Sequence, residues 1–171
     1  MKKILLIVVA LFCVTTVSAQ SKVKEAANYV ASQKWSAGLR VTYGVQAVAE
    51  CFYSDKAYFE GRIGIFNGLA ADFAILHNWN CFAWNWTPKA GQWFLDAGVG
   101  GNVGGAAHFC YGGVVGQVKF GIKFNKVPIR LAIDYSPAIN IGGTYGKNVD
   151  NHVGLYSAGF YNGALSATWC F

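Results

Sequence analysis

The chain has 171 residues, 54% of them hydrophobic and 16% aromatic, with 21 glycines and only 13% charged residues. Its 14 Lys and Arg outnumber its 8 Asp and Glu, but Lys2 and Lys3 sit in an apolar leader; removing them leaves 12 against 8, a surplus of 4, too mild to argue for a nucleic-acid partner. Beyond the leader no apolar run approaches the ~20 residues of a spanning helix, and the remaining length makes one domain with a real core rather than two.

Taken in chain order, Met1, Lys2 and Lys3 give a positive start, Ile4 to Val14 is almost wholly apolar, and Val17-Ser18-Ala19 supplies the small residues of a cleavage site. Residues 1–19 therefore read as a signal peptide, and the mature chain is expected to start at Gln20. Cys13 follows Phe12, where a lipoprotein signal needs a small residue, so it belongs to the leader. Residues 20–34 place Val23, Ala26, Ala27 and Val30 at helical spacing among lysines, which predicts a short helix or a loose arm.

From Trp35 the period changes to two. Trp35, Ala37, Leu39, Val41 and Tyr43 alternate with Ser36, Gly38, Arg40 and Thr42, as a strand with one apolar face should. The same parity runs on through Val45, Ala47, Ala49 and Cys51. Gly44 marks a three-residue turn, or else residues 35–53 are one long strand. Further strands are expected near 57–66 and, after the Asn67-Gly68 turn signal, from Leu69 to about Asn78. An aromatic and polar segment, "NWNCFAWNWTPKAG", leads to a strand near 92–102. A Gly-rich loop with His108 and Cys110 precedes strands near 114–124 and 127–139, joined at Asn125-Lys126. A longer loop comes before the terminal "LSATWCF". With a turn at Gly44 the count is eight.

Sorting strand residues by parity puts Trp35, Leu39, Phe59, Ile63, Phe73, Ile75, Trp93, Val118, Phe120, Leu131, Leu165 and Trp169 on one uncharged face. The other face carries Arg40, Glu50, Glu60, Arg62, Asp72, Asp96, Lys119, Lys123, Arg130 and Asp134, five bases and five acids. Strand-by-strand sorting does not manufacture this, because Glu60 with Arg62, Lys119 with Lys123, and Arg130 with Asp134 agree in parity within their own strands. Alternation alone leaves open which face is inside. The apolar face is too bulky for a narrow eight-stranded interior, while the polar face is rich in small residues that fit one. Balanced charges are also what an interior away from bulk water needs. The expectation is an all-β, transmembrane, antiparallel up-and-down barrel over residues 35–171, with aliphatic residues facing lipid and closure imposed by the lack of partners for a strand edge in lipid.

Leu165, Ala167, Trp169 and Phe171 alternate up to an aromatic terminus and resemble the C-terminal signal read by the outer-membrane barrel assembly machinery. More broadly, "WSAGLRVTYG", "GQWFLDAGVGGNVG" and "GGVVGQVKFGIKFNKVPIRLAIDYSPAINI" resemble the small outer-membrane β-barrel proteins of Bacteroidetes-type bacteria, of OmpX- and OmpA-like architecture. The last four residues carry no charge, where that group's usual ending has arginines. The resemblance implies a fold and a location in the outer membrane of a Gram-negative bacterium, with the 20–34 arm on the periplasmic side. It brings no activity.

The ten inward charges can act as a structural plug or as a selectivity lining, and the narrow interior favours the plug. In that reading Arg40, Arg62 and Arg130 pair with Glu50, Glu60, Asp72, Asp96 and Asp134. His77, His108 and His152 are the only histidines. A lipid A-modifying hydrolase would need one of them beside a Ser and a carboxylate, for which His152, Ser157 and Asp150 are nearest, in a spacing that matches no esterase pattern. Cys51, Cys81, Cys110 and Cys170 permit three full pairings, but their expected placement on opposite rims favours one bridge or free thiols, and they lack the close spacing of a Zn site. Phe82, Trp84, Trp86 and Trp93 read as a membrane-interface girdle rather than a sugar site. The expected function is structural or adhesive, without catalysis or cofactor, with a lipid A-modifying enzyme or a narrow channel as alternatives. Expected partners are outer-membrane lipid and lipopolysaccharide, the assembly machinery, and a surface ligand reached through loops 103–113 and 141–156.

Overall fold

The computed structural model describes residues 33–66, 70–144, 153–156 and 162–171. The leader and most of the 20–34 arm lie outside the described residues, as do Asn67-Gly68, Asp150, His152 and Ser157. The strands are β1 (Trp35–Val41), β2 (Gly44–Ser54), β3 (Ala57–Phe66), β4 (Ala70–Thr87), β5 (Gly91–Ala106), β6 (Phe109–Phe124), β7 (Ile129–Tyr135), β8 (Ala138–Thr144), β9 (Val153–Tyr156) and β10 (Gly163–Cys170). Each strand from β1 to β6 pairs antiparallel with the next, and β10 closes the ring between β7 and β1. The result is a closed eight-stranded antiparallel barrel with one extra strand, β9, paired to β8.

Val41 pairs with Val45, so Thr42 to Gly44 form the three-residue turn and residues 35–53 are two strands. β7 and β8 are one path along β6, bent at Ser136-Pro137. Proline has no N–H to give a ladder, and its carbonyl instead accepts from Gly116 N at 2.8 Å. Beyond this bend the neighbour changes from β10 to β9.

Three segments not expected as strands contain strand, among them the expected loop 141–156, which holds the end of β8 and all of β9. Residues 80–87 continue β4, because a bulge at Cys81 lets Asn80 pair with Asp96 and Phe82 with Leu95. The extra residue inverts the parity, so a period-two reading sees an ending where the chain only bends. Residues 103–113 are the β5–β6 hairpin, with a two-residue turn at Ala107-His108. Gly104, Gly105, Gly112 and Gly113 give alternation nothing to display.

The barrel is inside out relative to a water-soluble domain. Its buried residues include Arg40, Glu50, Glu60, Asp96, Lys119 and Asp134, each at most 2% exposed, whereas Trp35, Leu39, Ile63, Ile75, Ile133, Leu165 and Trp169 are half or more exposed. Among the described residues every charged side chain is either on the inward parity or in a segment at the end where the chain termini meet: Lys34, Asp55, Lys56, Lys89 and Lys126. The buried apolar residues form only a small cluster of Ala74, Leu76, Val115 and Ala138 on the inner wall.

Candidate functional site

Inward parity brings the charges from seven of the eight ring strands into one connected chain. At the terminus end Arg130 on β7 pairs with Asp96 on β5 and, at 3.0 Å, with Glu50 on β2. Its guanidinium lies 3.9 Å from the centre of the Phe94 ring and is also flanked by Phe52 and Tyr58. Tyr58 and Asn80 each donate to Asp96 at 2.8 Å. Lys119 on β6 then bridges Glu50 at 2.8 Å and Glu60 at 2.5 Å, and Ser36 donates to Glu50.

Glu60 accepts from Arg62 Nε at 2.5 Å, and Arg62 Nη1 reaches Ser136 Oγ at 3.2 Å. Ser136 donates to Asp134 at 3.0 Å, and Asp134 pairs with Arg40 at 2.7 Å. Arg40 Nη1 donates to Gln46 Oε1 at 2.6 Å, Gln46 Nε2 to Asp72 at 3.0 Å, and Tyr111 OH to Asp72 at 2.7 Å. The links run from Asp96 at one end to Tyr111 at the other.

Chemically this is a continuous network of buried ion pairs and hydrogen bonds. Ions this deeply desolvated persist because each finds opposite charge or donors at once, and the pairs join strands that are not ladder neighbours, Arg40 with Asp134 past β10 and Arg130 with Glu50 past β10 and β1. A recess of about 390 Å³ opens at the terminus end, lined by Phe52, Asp55, Asn80, Gln92, Phe94 and Arg130 among others. The Arg130–Asp96 pair lies on its wall.

The structure differs from the expected pairing at Asp72. Asp72 meets Gln46 and Tyr111, not an arginine, because Arg40 and Arg62 are drawn to Asp134 and Glu60. Lys123 lies half-buried beside the recess, and Lys119, for which no partner was expected, joins the two glutamates. Ser36, Gln46, Tyr58, Asn78, Tyr111 and Ser136 complete the network without having been singled out by charge. Their parity was the available signal: each shares the inward phase of a charged neighbour two to six residues away along its own strand path or across the β1–β2 turn, except Tyr111, whose nearest charge on β6 is Lys119.

On the outer wall Leu165, Ala167, Trp169 and Phe171 face outward along and just past β10. The bulge brings Phe82, Trp84 and Trp86 onto one face, where Phe82 stacks on Trp84, Trp84 on Trp86, and Trp86 packs against Trp93 and Phe120. His77 lies on the outer wall within 2.5 Å of the Tyr53 hydroxyl, and His108 in the β5–β6 turn. Cys51, Cys81, Cys110 and Cys170 are free thiols, Cys170 inside the barrel and the other three partly or fully exposed. Comparison with family models, with curated proteins and with solved structures finds no match to this chain.

Proposed function

We propose that the chain is an integral outer-membrane β-barrel of a Gram-negative cell, with a closed polar interior and a structural or surface-interaction role rather than a catalytic or conducting one. One observation carries the reading: outward positions on the ring strands hold no Asp, Glu, Lys or Arg among the described residues, while the interior holds an ionic chain. Water would reward the reverse arrangement, and only an apolar solvent favours this one. A ten-residue strand such as β3, tilted as barrel strands are, spans about 25 Å, the height of an outer-membrane apolar band.

The six tryptophans, Trp35, Trp79, Trp84, Trp86, Trp93 and Trp169, all lie toward the terminus end, where an interfacial girdle on the periplasmic side would sit. The outward row Leu165, Trp169 and Phe171 is the segment offered to the assembly machinery. The β5–β6 hairpin and residues 141–156 then face outward from the cell and are the contacts for lipopolysaccharide or a surface ligand.

Cell fractionation with proteolysis of intact cells tests this. The expected result is recovery in the outer membrane, cleavage confined to residues 103–113 or 141–156, heat-modifiable gel mobility after refolding in detergent, and no conductance in planar bilayers. A stable aqueous monomer purified without detergent would overturn the membrane reading. A changed lipid A mass spectrum in cells carrying the gene would overturn the non-catalytic one.

A further inference from the structure

One acid of the ionic chain, Asp72, forms no ion pair among the described residues. That chain contains five acids, Glu50, Glu60, Asp72, Asp96 and Asp134, and four bases, Arg40, Arg62, Lys119 and Arg130. Every one of those bases is committed to a carboxylate other than Asp72, and Lys123 lies at the opposite end beside the recess. Asp72 is 7% exposed and its two oxygens accept from Gln46, Tyr111 and Asn102, all neutral. A carboxylate offers about four lone-pair sites, so room for one further partner remains.

Around Asp72 the wall presents oxygen. Asn102 on β5 reaches the Asp72 carboxylate, and its Oδ1 is buried without a donor. Asn140 on β8 is 7% exposed, and its Oδ1 likewise has no donor. Asn102 and Asn140 flank Gly113 in one cross-strand row, and a Cβ on Gly113 would overlap the Asn140 oxygen, so that amide lies across the glycine toward Asn102. Gly104 makes the same room for the Tyr111 hydroxyl. A carboxamide fills the same volume when turned by 180°, so Asn102 can present either its nitrogen or its oxygen to the ligand that Asp72 holds.

We propose that this end of the interior is a site for a hard divalent cation, Ca²⁺, held by Asp72 with the amide oxygens of Asn102 and Asn140 and completed by water. The donor set is all oxygen and carries a single negative charge, the chemistry of a weak calcium site in the millimolar class. Site occupancy supplies the cationic partner that Asp72 lacks.

The test is thermal unfolding of the full barrel refolded in detergent, in about 10 mM CaCl₂ against NaCl of equal ionic strength. The expected result is a rise in unfolding temperature of about 3 °C for the wild type, abolished in Asp72→Asn and reduced in Asn140→Ala. No rise in the wild type, or a rise of equal size in both variants, overturns the proposal. Asn140→Ala decides alone should Asp72→Asn fail to regain the heat-modifiable form. Because the readout needs only a folded barrel, it stands or falls separately from the cellular location.

Discussion

The two ends of the interior solve the same problem with different chemistry. At the terminus end, opposite charges lock face to face: Arg130 is clamped between two carboxylates and stacked on Phe94, and Lys119 ties Glu50 to Glu60. At the far end, Asp72 is met by two amides and a phenol, and the oxygens of Asn102 and Asn140 have no donors at all. Charge pairing fixes which strand faces which across the barrel, because each partner is costly when left alone. Neutral dipoles tolerate rearrangement. The terminus end therefore carries the fold's specificity, and the far end has the freedom to accept a ligand.

The sharpest way to break the contrast is to remove one member of the clamp. Arg130→Ala leaves Glu50 and Asp96 buried with one cationic partner between them and should cost about 3–5 kcal/mol, seen as loss of the heat-modifiable gel form at temperatures where the wild type keeps it. An unchanged transition would mean that water enters this end and the charges are not desolvated.

The next effect tests what surrounds the barrel. Ile75 is 52% exposed at mid-height on β4, between Gly61 and Gly101. Ile75→Lys in a barrel refolded into lipid vesicles should lose about 2–4 kcal/mol, the cost of a lysine near a bilayer midplane, whereas the same change in water moves stability by no more than about 0.5 kcal/mol. Urea unfolding in vesicles reads the difference directly. A somewhat smaller loss is expected at the closing seam. A Cβ on Gly38 would run into the β10 backbone at Ala167 and Thr168, so Gly38→Ala should cost about 1–3 kcal/mol, with the same unfolding assay as its measure.

Much of this architecture was legible because alternation is a local property that survives without knowledge of partners. Glu60 and Arg62, or Arg130 and Asp134, share a face by spacing alone, and all ten parity-sorted charges fall on the inward side of the sheet. Two of the places where reading failed share a cause. At Cys81 one inserted residue inverts the phase, and between Gly101 and Gly113 the absence of side chains erases it. Which acid meets which base was not legible, since that depends on the stagger around the ring. Asp72 sits two strands from Arg40's register partner Gln46, yet Arg40 reaches across to Asp134 instead.

The smallest predicted effect is the most telling about the far end. Asp72→Asn keeps the shape of the side chain and changes its charge, and all three of its present partners are neutral. Gln46 Nε2 can still donate to the amide oxygen, and the Tyr111 hydroxyl can donate or accept. In the absence of divalent cation the change should cost less than about 1 kcal/mol. The matching change at the other end, Glu50→Gln, strips a carboxylate from Lys119 and Arg130 together and should cost about 3 kcal/mol or more. Equal losses from the two substitutions, measured by urea unfolding in metal-free detergent, would mean that Asp72 feels Arg40 and Arg62 through space as strongly as Glu50 feels its direct partners, and the two ends would then be one electrostatic unit. A small loss at Asp72 alone says that its negative charge is spare, which is the condition a cation site at that end requires.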